Sequence, residues 1–113
     1  MSKHEIAIAL QHMLDHAQEA IFLVQGKTRA DLDENRTLNL ALTRLLEIIG
    51  EAANRVPIEF QMENPAVSWP QIISLRNRLI HGYDSVDFDL LWYIVTHDLP
   101  ELIQALEKIL AKM

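Results

Sequence analysis

Residues 2–26 read SKHEIAIALQHMLDHAQEAIFLVQG, and this stretch decides the fold class. Ser2 and Glu5 have the spacing of a capping box, in which each residue satisfies a free N–H group at the start of a helix. Apolar side chains then recur every three or four residues, which is the period of one helix face. Gly26 suits the position that follows a helix. The pattern predicts a helix over residues 3–25, with the apolar face Ile6, Leu10, Met13, Leu14, Ala17, Ile21 and Val24.

A second apolar stripe predicts another long helix. It begins after residue 36, and its members are Leu38, Leu42, Leu45, Leu46, Ile49, Ala53 and Val56. Pro57 ends this helix, because proline has no N–H to donate and disfavours helix in the residue before it. Residues 58–67 contain a further proline and are predicted to form a loop.

The second half of the chain contains signals for more helices. Residues 68–71 read SWPQ, a helix start with serine as the cap, proline in the first turn and glutamine reaching back. This third helix is predicted to run to Gly82. A fourth helix is predicted from about residues 85–87, because Asp84, Asp87 and Asp89 suit the positive end of a helix dipole.

Pro100 should break or kink this fourth helix before a last helical stretch that extends to about residue 110. No strand-like alternation and no two-residue hairpin signal is present in the sequence. We therefore predict an all-α protein. Its architecture is expected to be an antiparallel bundle of four to five helices around one core, in a single domain over residues 1–113.

The composition limits the function classes. The chain has no cysteine, which excludes disulfides and thiolate metal sites and is typical of a reducing cytoplasm. No apolar run reaches the roughly 18 residues that a membrane span needs, and residues 1–5 lack the layout of a signal peptide. Because half of the residues are apolar, a domain of this size should also bury surface in an oligomer. We expect a cytoplasmic oligomer that does not bind membranes.

The distribution of charge points to one segment. A net charge of −6 argues against a protein that coats nucleic acid through bulk electrostatics. Residues 64–83, however, contain no acid and include Arg76 and Arg78, whereas residues 84–101 contain five acids and neither lysine nor arginine. A locally basic patch of this kind allows an acidic protein to hold a phosphate.

The predicted third helix carries four polar residues near its end, Arg76, Asn77, Arg78 and His81, and Tyr83 follows just beyond Gly82. In an ideal helix, Asn77 and Arg78 share the side of His81. Arg76 lies about 140° away from it. Either the last turn is distorted at the glycine that follows, or Arg76 acts with a histidine of another chain. Both alternatives place a candidate site at a helix end.

These residue types suit the cleavage of RNA without a metal. Histidine exchanges protons near neutral pH, and arginine presents a planar fork of donors that matches phosphate oxygens. The 2′-hydroxyl of RNA is an internal nucleophile beside each phosphate. The same residues also suit a purely structural role, because arginines near a helix C-terminus are favoured by the helix dipole alone and a histidine there can cap carbonyls.

The order Arg76-Asn77-x3-His81-Gly82-Tyr83 resembles the Arg-polar-x3-His-x-Tyr signature of HEPN-domain proteins, whose name abbreviates higher eukaryotes and prokaryotes nucleotide-binding. More narrowly, the chain is similar to HepT-type toxins, which are paired with a minimal nucleotidyltransferase (MNT) antitoxin. Residues 46–53, which contain Ile49-Gly50-Glu51-Ala52, are similar to the Ile-Gly-Glu-Ala motif of that family. Trp69 and the run over residues 91–102 extend the resemblance over most of the chain.

The resemblance implies a homodimeric ribonuclease that needs neither a metal nor another cofactor. His81 would be the general acid/base, and Arg76 would bind the phosphate and stabilise the transition state. Asn77 would orient the phosphate or the histidine. Tyr83 would be the tyrosine to which the nucleotidyltransferase antitoxin attaches AMP. This modification would block the RNA substrate, either tRNA or mRNA, by bulk and charge. Arg78 lies outside the family motif, and we assign it a supporting phosphate contact.

Two other interpretations remain open. The chain could be a binding module that presents nucleotide or substrate to a nucleotidyltransferase without catalysis of its own, or a purely structural helical dimer. Replacement of His81 by alanine would distinguish them, because only a ribonuclease would lose an activity.

Other polar and aromatic residues carry weaker predictions. His12 and His16, with Glu19, have a spacing that could hold a metal, but a solvated or interface face is favoured. Glu47 and Glu51 form a possible carboxylate pair, of which Glu51 is retained as a supporting residue of the site. The aromatic side chains in the predicted helices are expected in the core or in an interface; they are Trp69, Trp92 and Tyr93.

Overall fold

Three long helical segments form the body of the protein in the computed structural model, which describes residues 1–83 and 85–113. The first two are α1 and α3, and the third runs from α7 through a π-helical turn into α8. Shorter helices connect them. The bounds are α1 Lys3–Leu23, α2 Asp31–Glu34, α3 Arg36–Asn54, α4 Ile58–Glu63, α5 Trp69–Ile73, α6 Leu75–Leu79, β1 Ile80–His81, β2 Ser85–Val86, α7 Phe88–Tyr93, the π-helical segment Ile94–Asp98 and α8 Leu99–Ala111. The predicted all-α helical bundle is confirmed.

Helix α1 begins with the predicted capping box. The Ser2 hydroxyl accepts a hydrogen bond from the Glu5 N–H at 3.1 Å, and the Ser2 N–H donates to the Glu5 carboxylate at 3.3 Å. These contacts hold the pKa of Glu5 below its ordinary value, with the backbone hydrogen bond as the larger cause. The helix ends at Leu23, two residues earlier than predicted.

The core lies where α1 packs against both α3 and α8. Its fully buried side chains are almost all aliphatic, and each contributes about 1.5–3 kcal/mol by leaving water. The largest of them are Leu10, Met13, Leu32, Leu42, Leu46, Ile49, Leu75, Leu79, Leu91, Ile94, Leu99 and Leu106. Leu75 and Leu79 belong to α6, so the core anchors the helix that carries the candidate site.

The prediction of a loop over residues 58–67 was wrong, because six of these residues form helix α4. Pro57, which closes α3, has a φ of −59° at the N-cap of α4. A fixed φ near this value disfavours continuation of the preceding helix and suits the entry to the next one. The Gln61 side chain donates to the Val56 carbonyl at 2.9 Å and ties α4 to the turn that precedes it.

The predicted third helix is interrupted twice. It splits at Ser74, whose φ of −90° and ψ of 9° leave the helical region, so that α5 ends at Ile73 and α6 begins at Leu75. The prediction that Ser68 caps this helix with its side chain was also wrong, because the hydroxyl makes no capping hydrogen bond. Helix α6 then ends at Leu79, three residues before the predicted end.

A two-residue antiparallel ladder follows α6, where the sequence shows no hairpin signal. Ile80 pairs with Val86, and His81 pairs with Ser85. Gly82 has a φ of 73° in the connecting turn, a left-handed conformation that glycine adopts without steric cost. Each strand has only two residues, which is too short to produce an alternating pattern in the sequence. Asp84, assigned above to the start of the fourth helix, lies outside the described residues.

The fourth helix begins as predicted and changes form before the proline. The Asp87 carboxylate accepts from the Leu90 N–H at 3.0 Å and caps α7. The backbone passes into the π-helical segment immediately before Pro100, which occupies the first turn of α8. This widened turn is the predicted interruption, because proline cannot donate to the preceding turn. Within residues 1–83 and 85–113, every helix is too short or too polar to cross a bilayer.

Candidate functional site

The candidate site residues occupy the junction between α6 and the β1–β2 ladder. Arg76 and Asn77 lie on α6, His81 lies on β1, and Tyr83 lies in the turn. All four side chains are exposed, and Tyr83 is fully exposed. The argument from helical spacing does not apply to His81, because the helix ends before that residue. Helix α6 ends at Leu79, before Gly82, and the alternative in which Arg76 acts with a histidine of another chain stays a prediction.

The site segment packs against helix α3. Gly50 faces the backbone of α5 so closely that a Cβ atom there would lie 2.9 Å from the Ile72 carbonyl oxygen and 3.5 Å from that of Ile73. A side chain at this position would therefore separate the two helices. This contact brings the chain just before α6 against α3.

Ion pairs connect this face of α3 to the site. The Arg76 Nε atom lies 3.5 Å from Oε2 of Glu47. Arg44 lies 3.7 Å from the same oxygen and 3.4 Å from Oε1 of Glu51. The side chain of Glu47 is 21% exposed, whereas that of Arg76 is 68% exposed. The arginine of the predicted site is thus held by a largely covered carboxylate and keeps most of its surface in solvent.

A pocket of about 190 Å³ lies between α3 and α6. It is open to solvent, and Arg76 and Asn77 form one of its sides. The complete lining is Glu47, Gly50, Glu51, Asn54, Ile73, Arg76 and Asn77. The structure therefore brings together two of the predicted catalytic residues, while His81 and Tyr83 do not line this pocket.

Arg78 points back toward the protein. It is half-buried, and its Nη1 atom donates to the backbone carbonyl of Gln71 at 3.4 Å. This hydrogen bond links α6 to α5 across the break at Ser74. A supporting phosphate contact by Arg78 remains a prediction, but one that would use the guanidinium nitrogens not engaged by Gln71.

The pairing of Glu47 with Arg76 was missed in the sequence, where Glu51 was preferred as the supporting carboxylate. The structure places Glu51 in the pocket but pairs it with Arg44. A signal was available, because Glu47 precedes Gly50 by three residues and so shares its side of α3. A residue on the same side of a helix as a closely packed glycine is expected to face the adjoining helix.

The other singled-out residues have structural surroundings. Trp69 is buried and donates its indole N–H to the Asn64 carbonyl at 2.9 Å, as expected for a core residue. Tyr93, by contrast, is 52% exposed and stacks on His97 with ring centroids 4.5 Å apart, so it does not belong to the core. Trp92 is partly buried against the core.

The histidines of α1 contact each other and not a third metal ligand. The Nδ1 atom of His16 lies 2.6 Å from the backbone carbonyl oxygen of His12. In the described part of the chain, residues 1–83 and 85–113, no group of three or more histidine, cysteine, aspartate or glutamate side chains is arranged to hold a metal ion.

Comparison with known proteins places these features in a family. The model of the family described as "Ribonuclease HepT-like" matches residues 10–109. A protein of Methanocaldococcus jannaschii named "Putative RNase MJ1380" is 35% identical over 107 residues, which cover 95% of this chain and 98% of that protein.

Two further relatives have similar coverage. "Probable ribonuclease HepT" of Thermococcus cleftensis is 36% identical over 100 residues, which cover 85% of this chain and 91% of the relative. "Putative RNase TTE0752" of Caldanaerobacter subterraneus subsp. tengcongensis is 35% identical over 103 residues, which cover 91% of this chain and 92% of the relative. No solved structure matches significantly.

Proposed function

Because this chain belongs to the HepT-like ribonuclease family, we propose that it is an endoribonuclease that cleaves RNA without a metal and acts as the toxin of a toxin–antitoxin pair. The family membership that was inferred from the motif between Arg76 and Tyr83 is confirmed. The cleavage reaction, its independence of metals and its control by an antitoxin are the proposal.

One observation carries the proposal. A short segment places an arginine, an amide, a histidine and a tyrosine on the surface of an otherwise apolar helix end. Core burial of Leu75 and Leu79 fixes the helix beneath them. Arg76 and Asn77 line a solvent-open pocket, which gives a phosphate access to both side chains. A purely structural role does not require that so many polar groups remain exposed and available.

The proposed reaction uses the 2′-hydroxyl of the RNA. His81 removes the proton from that hydroxyl, and the resulting oxygen attacks the neighbouring phosphorus as the bond to the 5′-oxygen breaks. An imidazolium returns a proton to the departing 5′-oxygen. The products are a 2′,3′-cyclic phosphate and a free 5′-hydroxyl. Arg76 stabilises the charge that develops on the phosphorane, and Asn77 orients the phosphate.

We also propose that the active form is a homodimer. Arg76 lines the pocket and His81 does not, so a second copy that contributes its own segment would complete the set around one phosphate. Several large apolar side chains also remain exposed, as expected for a chain that buries them in an oligomer: Ile8, Phe22, Leu40, Ile58, Met62 and Tyr93. Analytical ultracentrifugation would give a monomer mass if this part of the proposal is wrong.

The decisive experiment measures cleavage by the unmodified protein. The chain is purified without partners, its intact mass is checked, and it is incubated with total cellular RNA in excess EDTA. Wild type should cleave and leave 2′,3′-cyclic phosphate ends, whereas His81→Ala and Arg76→Ala should not. His97→Ala is the matched control, because it removes an exposed histidine outside the motif and should leave cleavage intact.

Absence of cleavage by a folded, unmodified wild-type protein would reject the ribonuclease proposal. The binding module that serves a nucleotidyltransferase would then be the better interpretation. Equal cleavage of tRNA and of unstructured RNA of the same length would reject a narrower expectation, which is that an acidic protein selects its RNA by shape.

The proposed control by AMP is supported by the full exposure of Tyr83, which leaves its hydroxyl accessible to a modifying enzyme. Adenylylation there would add bulk and negative charge to the segment that contains Arg76 and His81. Co-expression with an MNT-type nucleotidyltransferase should raise the intact mass by adenylyl groups and abolish cleavage. Tyr83→Phe should prevent this change, whereas Tyr93→Phe, which alters the other tyrosine of the chain, should not.

A further inference from the structure

We propose that Glu47 is the positioning residue for Arg76, holding its guanidinium by the Nε edge so that the terminal nitrogens face the RNA phosphate. The inference rests on the ribonuclease function proposed above and assigns a role to a residue outside the Arg–His–Tyr motif. Its basis is the ion pair between α3 and α6, the partial burial of the carboxylate and the close approach of α5 to α3.

The contact engages one edge of the arginine. Arg76 approaches Glu47 through Nε, with Nε and Oε2 3.5 Å apart. The guanidinium is planar and rigid, so an ion pair at Nε favours orientations in which the two terminal nitrogens point away from Glu47. Those nitrogens carry the remaining donors that a phosphate can accept in a bidentate manner. The carboxylate therefore orients the group without occupying all of its donors.

Burial differs between the two partners in the way that positioning requires. Glu47 is 21% exposed and lies on α3, a helix of 19 residues that packs along α1. Arg76 is 68% exposed on α6, a helix of five residues with an interruption on either side. A long side chain on so short a helix has considerable freedom. An anchor on a rigid neighbouring helix restricts that freedom before the substrate binds.

Gly50 allows the segment just before α6 to pack closely against α3. It lies one turn after Glu47, and its missing side chain allows the Ile72 carbonyl to approach α3. The same backbone contact that brings α5 against α3 therefore brings α6 within reach of the carboxylate. Glu47 and Gly50 also line the pocket together with Arg76.

Arg44 contacts both carboxylates of this face of α3. It lies 3.7 Å from the Glu47 oxygen that faces Arg76 and 3.4 Å from Glu51. Glu51, 63% exposed, has its described ion pair with Arg44 only. The structure therefore distinguishes two neighbouring carboxylates on α3, of which Glu47 acts on the arginine of the site.

The positioning role has a kinetic signature that a structural role lacks. Without its charge, the side chain at position 47 no longer competes with the RNA phosphate for Arg76 and no longer repels the RNA. RNA should therefore bind more tightly. Loss of the anchor at the same time leaves the guanidinium poorly oriented in the transition state, so turnover should fall. Glu47→Gln should therefore lower kcat by about tenfold or more while KM decreases. Replacement of a residue that only supports the fold would lower the thermal stability without lowering kcat and KM together.

The experiment compares three variants of the full chain. Glu47→Gln is the test, and Glu47→Asp keeps the charge and should recover part of kcat. Glu107→Gln is the charge-matched control, because it removes an exposed carboxylate on α8 and should leave both constants within about twofold. Cleavage of bulk tRNA gives kcat and KM. Fluorescence anisotropy with labelled bulk tRNA, in a His81→Ala background that does not cut, gives the affinity separately.

The outcomes separate this inference from the function on which it rests. Lower kcat together with tighter binding in Glu47→Gln, at an unchanged melting temperature, supports the positioning role. Unchanged kcat in Glu47→Gln, with wild type fully active, overturns it and leaves the ribonuclease proposal standing. If wild type itself cleaves no RNA, the ribonuclease proposal fails and the positioning role fails with it.

Discussion

Gly50→Ala tests the contact that brings the site segment against α3. The added Cβ would lie 2.9 Å from the Ile72 carbonyl oxygen, whereas ordinary contact begins at 3.4 Å, so α5 must recede by about half an ångström. The opposing atom belongs to the backbone and cannot rotate away. Overpacking of this kind costs about 1–3 kcal/mol, and the better helix propensity of alanine returns about 1 kcal/mol.

The expected net effect is a loss of about 1 kcal/mol in the free energy of unfolding, equivalent to a melting temperature about 4 °C lower for a chain of this size. Thermal unfolding followed by circular dichroism measures this change. Cleavage should fall as well, because displacement of α5 carries α6 and Arg76 away from Glu47. A geometric error of this size at a positioning contact is enough to slow a reaction severalfold.

A second site in the same helix provides the control. Ala41 is partly exposed in α3, so the stability lost in Ala41→Gly measures the difference in helix propensity between alanine and glycine without overpacking. If Gly50→Ala is more stable than wild type by that same difference, and cleaves RNA at the wild-type rate, no close approach exists. The account of how α3 positions the site would then be refuted.

Three further changes test the structure in other places. Trp69→Phe removes the indole hydrogen bond to Asn64 and should lower the free energy of unfolding by about 1–2 kcal/mol, measured in urea. Asn39→Ala removes a buried hydrogen bond to a carbonyl of α2 and should cost about 1–3 kcal/mol, with cleavage retained at low temperature. Because the pKa of Glu5 is lowered in the folded protein, its stabilisation is present above the ordinary value of 4.5 and is lost as the pH falls through the lowered pKa. Glu5→Gln should remove this part of the acid dependence of the melting temperature, and an unchanged dependence would contradict the role of the capping box.

Features that depend on nearby residues were predictable. The helices α1 and α3 follow from apolar side chains at helical spacing, and the cap at Ser2 is a contact between residues three positions apart. The family followed from a short motif. The α4 helix was missed because the proline that ends one helix also suits the start of the next, and the two readings cannot be distinguished from local sequence.

The amino-acid sequence by itself determined that the protein is helical, where its two longest single helices lie, and which segment contains Arg76, His81 and Tyr83. The tertiary structure alone decided that the site helix breaks at Ser74 and ends at Leu79, and that Glu47 pairs with Arg76. The physical reason is the range of the interactions involved. Caps and apolar stripes act within one or two turns, whereas the partner of a charged side chain is set by the packing of helices distant in the chain.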